Sequence, residues 1–544
     1  MRGYEQLVET LSEAGVKYAF GLPGHGLIPA TEYMIESGKM RFIAIRHEQV
    51  AAAMAEGVAR VTGIPAACIA GAGPSAANLI IGVANAYRAS YPMLAITGNA
   101  TREELGRDVL NEWNQLDVFK PVTKKGIQIT HPELLASQLR LALLTSVSGR
   151  PGPVHVDIPW DVSAAEVKPP TRSGRLHLGP TRIEATGGLV RTALEMIKSA
   201  QSPVIIAGGG ALASEAGARL KELIEIMTIP VAVAGARGIL PDDHPLCFGS
   251  VGVWGFSGTN NLVKAADLII GLGFRFSDDT TMGWTTISKD AKIIQVDIDP
   301  TELGRQYDIN LAVLADVDTF LGQLLRAIRR DARRGRGWPK EKLRALQSAL
   351  RREREKFVSG PFESEVVDKR LIVREVQNLM EEDAIIAMGT GIHTRYASRI
   401  ISRSPRSVLR SGPYAGMGFG YPAAMGAKLA KPDRQVICLD GDGDFLMTVQ
   451  DLETAVREDL PFVTIIFDNS SYGAYKLFAK DKTKRIGVEF GNPDFVKLAE
   501  SFGAVGARVT RSSEFAPTLK EMLKSDKPSI IDAVVSLETD LPWY

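Results

Sequence analysis

Short runs of branched and aliphatic residues, each closed by Gly, Asp or Pro, alternate along the whole chain with longer stretches whose apolar positions recur every three or four residues. The short runs have the pattern of strands buried on both faces, and the longer ones that of covering helices. The alternation therefore predicts an α/β class of doubly wound parallel sheets. It falls into three blocks. Residues 1–170 hold FIAI, ACIAG, MLAITG and VHVDIP, with a helix-like VAAAMAEGVARV after the first. Residues 183–335 hold PVIIAGGGA, IPVAVAG, DLIIGLG and KIIQVDIDP, and residues 365–544 hold AIIAMGTG, QVICLDGDGD, FVTIIFDNS and SIIDAVVS. Each block predicts one sheet domain. Between them, residues 168–182 are rich in breakers and residues 328–357 are strongly basic, which predicts two linkers, the second carrying one solvated helix. Ligands of such sheets gather beyond the carboxyl ends of the strands, so the chemistry is expected there.

Length agrees with three domains, since 544 residues exceed a single core and domains run to about 100–200 residues. Lys and Arg (64) nearly balance Asp and Glu (63), and a net charge of +1 supplies no broad positive field for nucleic acid. The first residues, MRGYEQLVETLSEAGVKYAF, lack the apolar core of a signal peptide, and no apolar run reaches the roughly 18 residues of a membrane span. A cytoplasmic protein with no membrane partner is expected. Cys68, Cys247 and Cys438 have no paired spacing, which suits buried thiols in a reducing compartment.

The sharpest local signal is VICLDGDGDF followed by VTIIFDNS, in which Asn469 follows Asp442 by 27 residues. A strand, a crossover helix (FLMTVQDLETAVRE) and a second strand take about 30 residues, which would set Asp442 and Asn469 side by side at parallel strand ends. With a carbonyl near Ser471 they would offer the hard oxygen ligands that Mg2+ prefers. Gly441 and Gly443 would let the backbone approach a phosphate, as would Gly389, Thr390 and Gly391 at another strand end. The same residues also read as ordinary turns closing two strands.

Many ordered segments resemble the acetolactate synthase family: FGLPG, IRHEQVAAAMAEGVARVTG, AGPSAANL, GVANAY, PMLAITG, WNQLD, GRPGPVHVDIP, LPDDHPLCFG, ADLIIGLGFRF, IIQVDIDPTELG and SGPYAGMGFGYPAAMGAKLA, together with GDGDF and DNS. The resemblance implies a pyrimidine-binding first domain, a central domain and a diphosphate-binding third domain. It further implies thiamine diphosphate and Mg2+, and a homodimer or homotetramer whose active sites lie at the subunit interface. It assigns Glu48 as the carboxylate that shares a proton with the cofactor's pyrimidine, and Met417 as the wedge that bends the cofactor. By local sequence alone Glu48 would be a favourable charge at a helix start and Met417 a gap-filling core residue. Other cofactor contacts implied are Pro23, Gly24, Gly73, Asn78, Gly389, Thr390, Ala415, Gly441, Gly443, Asp444, Tyr472 and Gly473, with Asp442, Asn469 and Ser471 holding the metal.

The chain also departs from the family pattern. His25 follows FGLPG where the family carries a small residue, and a histidine there could shuttle protons. Asn114 and Gln115 stand where the family has Gln-Glu, and both are candidate catalytic groups. Ala474 and Phe478 occupy the positions that select the second substrate, Asp279 replaces an expected arginine, and Ser75 replaces the second Gly of GPG. The resemblance implies decarboxylation of a 2-keto acid with carboligation to a carbonyl acceptor. The departures leave open a 2-hydroxyacyl-coenzyme A lyase or oxalyl-coenzyme A decarboxylase, another 2-keto acid decarboxylase, or a non-catalytic sensor of thiamine diphosphate. GLGFRF and VDIDP resemble the region that carries FAD, or an ADP or coenzyme A moiety, in relatives.

Overall fold

The computed structural model describes residues 1–169, 174, 176–330, 337–362, 365–478, 487–537 and 541. Among the described residues, eighteen strands form three six-stranded sheets. Every strand pairing within them is parallel. The first sheet runs in the spatial order Arg41–Ala44, Tyr18–Gly21, Ala66–Ala70, Met93–Asn99, Pro153–Pro159, Gly126–Gln128. The second runs Leu311–Leu314, Lys292–Asp297, Leu268–Leu272, Pro203–Gly208, Val231–Ala234, Cys247–Ser250, and the third Val408–Arg410, Ile385–Met388, Val436–Gly441, Val463–Asp468, Ser529–Val534, Val505–Val509.

In each sheet the chain winds to one side of its first strand and then crosses to the other, leaving a switch point where two adjacent strands send their following loops apart. The three switch points lie between Tyr18–Gly21 and Ala66–Ala70, between Pro203–Gly208 and Leu268–Leu272, and between Ile385–Met388 and Val436–Gly441. At the first two, glycine backbones touch. A Cβ on Gly24 would fall 2.6 Å from the Gly71 nitrogen, and one on Gly208 would fall 2.0 Å from the Gly273 oxygen.

The first and third domains share one core. Its buried residues include Phe20, Val50 and Met54 from the first domain and Tyr421, Met425 and Phe445 from the third. Helix Glu48–Thr62 is buried from Glu48 to Val61, as an alanine-rich helix without a solvent face must be. It crosses helix Gly420–Ala430 at van der Waals contact of the backbones. A Cβ on Gly57 would lie 2.5 Å from the Ala423 oxygen, and one on Gly426 would lie 2.2 Å from the Met54 oxygen.

Two local expectations change. The stretch predicted as one crossover helix after Asp442 is instead a turn of helix at Asp442–Phe445, a 3-10 turn at Val449–Asp451 and a short helix Leu452–Arg457. Asp451 marks the break, its carboxylate accepting from the Arg46 backbone nitrogen (2.8 Å) and the Thr454 hydroxyl (2.8 Å), bonds that compete with a continuing helix. The basic segment carries the helix Lys340–Ser359, which is clamped rather than loose. Leu343 and Leu350 are buried, Trp338 Nε1 donates to the Pro203 carbonyl (2.8 Å), and Glu353 accepts from the Ser257 and Gly258 nitrogens (2.8 and 2.9 Å). Residues 331–336 and part of the expected 168–182 linker lie outside the described residues.

Gly426→Val is expected to push the two crossing helices apart, at a cost of about 1–3 kcal/mol typical of overpacking, read as a lower melting temperature.

Candidate active site

The switch point of the third sheet carries most of the residues that the sequence singles out. Asp442 begins the turn after strand Val436–Gly441, and Asn469 follows strand Val463–Asp468, one strand over. The two loops touch: Asp442 Oδ2 accepts from the Asn469 nitrogen (3.1 Å) and the Ser470 nitrogen (2.6 Å), while Oδ1 accepts from the Gly443 nitrogen (2.8 Å). Asn469 Oδ1 accepts from the Ser471 nitrogen at 3.0 Å, and the Ser471 carbonyl from the Gly473 nitrogen at 2.9 Å. Asp442 Oδ1, Asn469 Oδ1 and the Ser471 carbonyl each accept one of these bonds and keep a further lone pair. A carboxylate, an amide oxygen and a carbonyl at adjoining turns are the donor set that Mg2+ takes. Burial pushes Asp442 up to about 6, opposed by hydrogen bonds from Asn492 and nearby backbone nitrogens.

The glycines here are sterically required. A Cβ on Gly389 would lie 1.9 Å from Asp440 Oδ1, one on Gly441 would lie 2.9 Å from His393 Nδ1, and one on Gly443 would lie 2.6 Å from the Tyr472 ring. Bare backbone between polar side chains suits a diphosphate. Asp444 ties the cradle together, accepting from the Thr390 nitrogen and the Gly418 nitrogen, each at 2.7 Å. Burial, and then the neighbouring Asp444 charge, holds Asp440 well above the usual carboxylate range. Asp440 is thus the protonated member of the pair. Burial pushes His393 down to about 3, leaving a neutral imidazole against Gly391 and Gly441.

From the first domain, Glu48 opens its helix with only 4% of its surface exposed. Its Oε1 accepts from Ser75 Oγ at 2.5 Å, and its Oε2 from Asn78 Nδ2 at 2.9 Å. The next residue, Gln49, donates from Nε2 to the Met417 carbonyl at 2.7 Å. A run of contacts therefore joins Glu48 through Gln49, Met417 and Gly418 to Asp444 and the glycine turns of the third sheet. Thr390 Oγ1 donates to the Gly416 carbonyl (3.0 Å), and Ala415 takes a left-handed φ of 55° at the bend leading to Met417. Gly73, with a φ of 64°, turns the chain into the helix that carries Ser75 and Asn78.

Other singled-out residues sit elsewhere. His25 is exposed on the loop with Pro23 and Gly24, its ring 5.3 Å from that of Trp160. Asn114 caps helix Gln115–Phe119 through the Asp117 nitrogen (3.2 Å). Gln115 turns inward, donating to the Gly98 carbonyl (2.9 Å) and to Asp157 (2.7 Å), a buried carboxylate that Thr97, Asn99 and Gln128 also reach. Gly473 and Ala474 begin helix Gly473–Phe478, and the side chain of its last residue, Phe478, lies outside the described part of the chain. Tyr472 packs on Phe490, ring centres 4.8 Å apart. Sequence reasoning passed over Gln49, His393 and Asn492. Asn492 bridges Asp442 (2.9 Å) and Asp468 (2.7 Å) from 50 residues beyond Asp442, with no motif to announce it.

A second cavity, of about 210 Å³, opens where the central sheet's switch point faces the other two domains. Arg60, Arg237, Arg275, Arg406 and Arg410 line it together with Asp297 and the glycine turn 208–210. Burial pushes Asp297 up to about 6, and burial with the nearby Arg150 charge pushes Arg275 down to about 10. Asp279, found where an arginine was expected, accepts from Trp254 Nε1 at 2.6 Å, and the Arg410 guanidinium lies 3.9 Å from the centre of the Trp254 ring. Positive charge at this spot comes from another strand.

Residues 1–118 match the family described as thiamine pyrophosphate enzyme, N-terminal TPP binding domain. Residues 190–324 match the central domain of the same enzymes, and residues 389–533 the C-terminal TPP binding domain. The chain is 34% identical to the probable acetolactate synthase large subunit of Methanocaldococcus jannaschii, covering 100% of this chain and 93% of that one. It is 33% identical to the acetolactate synthase isozyme 1 large subunit of Escherichia coli, covering 98% and 94%, and 33% identical to the acetolactate synthase large subunit of Corynebacterium glutamicum, covering 98% and 87%.

Asp444→Ala strands the Thr390 and Gly418 N–H groups. It is expected to cost roughly 1–4 kcal/mol of stability in chemical denaturation and to weaken thiamine diphosphate binding more than tenfold in a fluorescence titration.

Proposed function

The chain belongs to the acetolactate synthase large-subunit family of thiamine pyrophosphate enzymes, and from that premise we propose that it decarboxylates a 2-keto acid and joins the acyl unit to a carbonyl acceptor. The observation that carries this reading is the buried carboxylate of Glu48, presented by two side-chain donors and linked through Gln49 and Met417 to the diphosphate cradle. When bound, the thiazolium of thiamine diphosphate supplies the electron sink for cleaving a bond next to a carbonyl.

The chain's own residues supply position and proton handling. Gly389, Thr390, Gly441 and Gly443 offer bare backbone to the diphosphate, with the neutral His393 beside them. Asp442, Asn469 and the Ser471 carbonyl hold Mg2+. Met417, half-buried, would serve as the wedge under a bound cofactor, setting its own basic group close to the reacting carbon. Glu48 holds the proton at the pyrimidine nitrogen. His25 is exposed and free to move a proton at the acceptor, while Gln115, braced by Asp157 and bonded to the Gly98 carbonyl beside the His25 backbone, and Asn114, capping its helix, support that loop. Tyr472, Gly473 and Ala474 form the far wall of the substrate pocket.

The oligomer is a homodimer or homotetramer with its active sites at the subunit interface. In support, Ile81 (46% exposed), Tyr414 (43%) and Met447 (42%) present apolar surface around Met417. The central cavity takes a nucleotide, FAD or an ADP- or coenzyme A-bearing molecule, with arginines suited to phosphates and Asp297 to a ribose hydroxyl. A cytoplasmic location is supported by three buried free thiols among the described residues, where no helix is long and apolar enough to cross a membrane.

Purified protein with thiamine diphosphate and Mg2+ is expected to release carbon dioxide from a panel of 2-keto acids that includes pyruvate. Glu48→Gln should lower that rate by about 10²–10⁴-fold while the cofactor still binds. No carbon dioxide from any member of the panel with the cofactor bound, or a Glu48→Gln variant as active as the parent, would refute the reading.

A further inference from the structure

Helix Pro74–Ala89 enters the site with two donors three residues apart, hence on one face: Ser75 in its first turn and Asn78 just after. Both point at Glu48, one at each carboxylate oxygen. Their helix is fixed at its start, because Gly73 turns the chain in a left-handed conformation and a Cβ there would lie 2.6 Å from the Asn111 carbonyl oxygen. A serine at the start of a helix ordinarily offers its hydroxyl to its own backbone. Here it reaches a carboxylate 27 residues away in sequence. In the family pattern this position is a glycine, which offers no side-chain donor.

We propose that Ser75 is a positioning residue that governs where the proton shared between Glu48 and the bound pyrimidine resides. The proposal rests on the reading of Glu48 given above. A hydroxyl has a single proton to donate, and a donor on a carboxylate favours the ionised form. With Oε1 held by Ser75 and Oε2 by Asn78, each oxygen retains a lone pair for the pyrimidine, and both donors are matched best by an oxygen that carries no proton of its own. The proton then stays on the ring nitrogen, which favours the imino form of the pyrimidine. Shifting the shared proton exchanges a Glu48 O–H bond for a ring N–H bond, and the imino form follows when the exocyclic amino group gives one proton to solvent. The same two contacts lock the plane of the carboxylate to one helix, so its orientation needs no reorganisation when the cofactor enters.

The test uses full-length protein saturated with thiamine diphosphate and Mg2+, and reads the near-ultraviolet circular dichroism that separates the imino from the amino form of the bound pyrimidine. Ser75→Ala and Ser75→Gly are expected to lower the imino-to-amino ratio by about tenfold, the effect of one hydrogen bond to a charged group. Cofactor affinity should change less than that, and Ser75→Thr, which keeps the hydroxyl, should stay close to the parent. Glu48→Gln run in parallel separates the two claims. If Glu48→Gln abolishes the imino signal while Ser75→Ala and Ser75→Gly match the parent, the role of Ser75 is overturned and that of Glu48 stands. If Glu48→Gln leaves the signal intact, both fall. Loss of cofactor binding in Ser75→Gly would also overturn the proposal, since a positioning residue leaves affinity standing.

Discussion

The site depends on two helices meeting without side chains between them. Where Gly57 faces Ala423 and Gly426 faces Met54, added atoms would fall within 2.5 Å of backbone oxygens, so the helices cross at a distance that only small residues permit. That contact fuses the first and third domains into one core and fixes the start of helix Glu48–Thr62 against the bend at Met417. Small residues earn no burial energy of their own. What they permit is close-packed contact of everything around them.

The same economy of side chains recurs at the strand ends. Each sheet reverses its winding at one point, and the loops that diverge there carry glycines in close contact with neighbouring backbone or polar side chains. In the first and central sheets glycine meets glycine. In the third, Gly389 meets Asp440 and Asp444 instead, which moves charge to the base of the cradle. Two carboxylates there cannot both be ionised in a buried space, so Asp440 keeps its proton and Asp444 spends its charge on two backbone donors.

Departures from the family pattern turn out to have local partners. Asp279 takes the indole N–H of Trp254, while Arg410 from the third domain covers the opposite side of that interaction. Ser75 takes Glu48. Gln115, aligned with a pocket residue, is instead one of four side chains converging on Asp157, so its influence on the site runs through the floor of the first sheet. A substitution at an active site is thus read best with the group it now touches.

The twelve strands legible in the sequence are, apart from Arg41–Ala44, interior strands, because burial on both faces writes an unbroken apolar run. Gly126–Gln128, Cys247–Ser250, Leu311–Leu314, Val408–Arg410 and Val505–Val509 are all edge strands, too short and too mixed to stand out, and Tyr18–Gly21 is an interior strand that ends in a glycine turn. That Asp442 and Asn469 meet was legible for a related reason: a strand-to-strand crossover of set length ties them together through the chain itself. Glu48 became legible only through resemblance, since a carboxylate at a helix start has an ordinary explanation. Gln49, Ser75, His393 and Asn492 acquired their roles only in three dimensions. Each acts on a group far away along the chain, from 27 residues for Ser75 to 368 for Gln49, and no periodicity records a contact made by folding. The sequence alone determined the doubly wound class and most of the interior strands, because burial on both faces acts locally. Tertiary structure decided which polar side chains face one another there, because only packing brings distant donors to the same carboxylate.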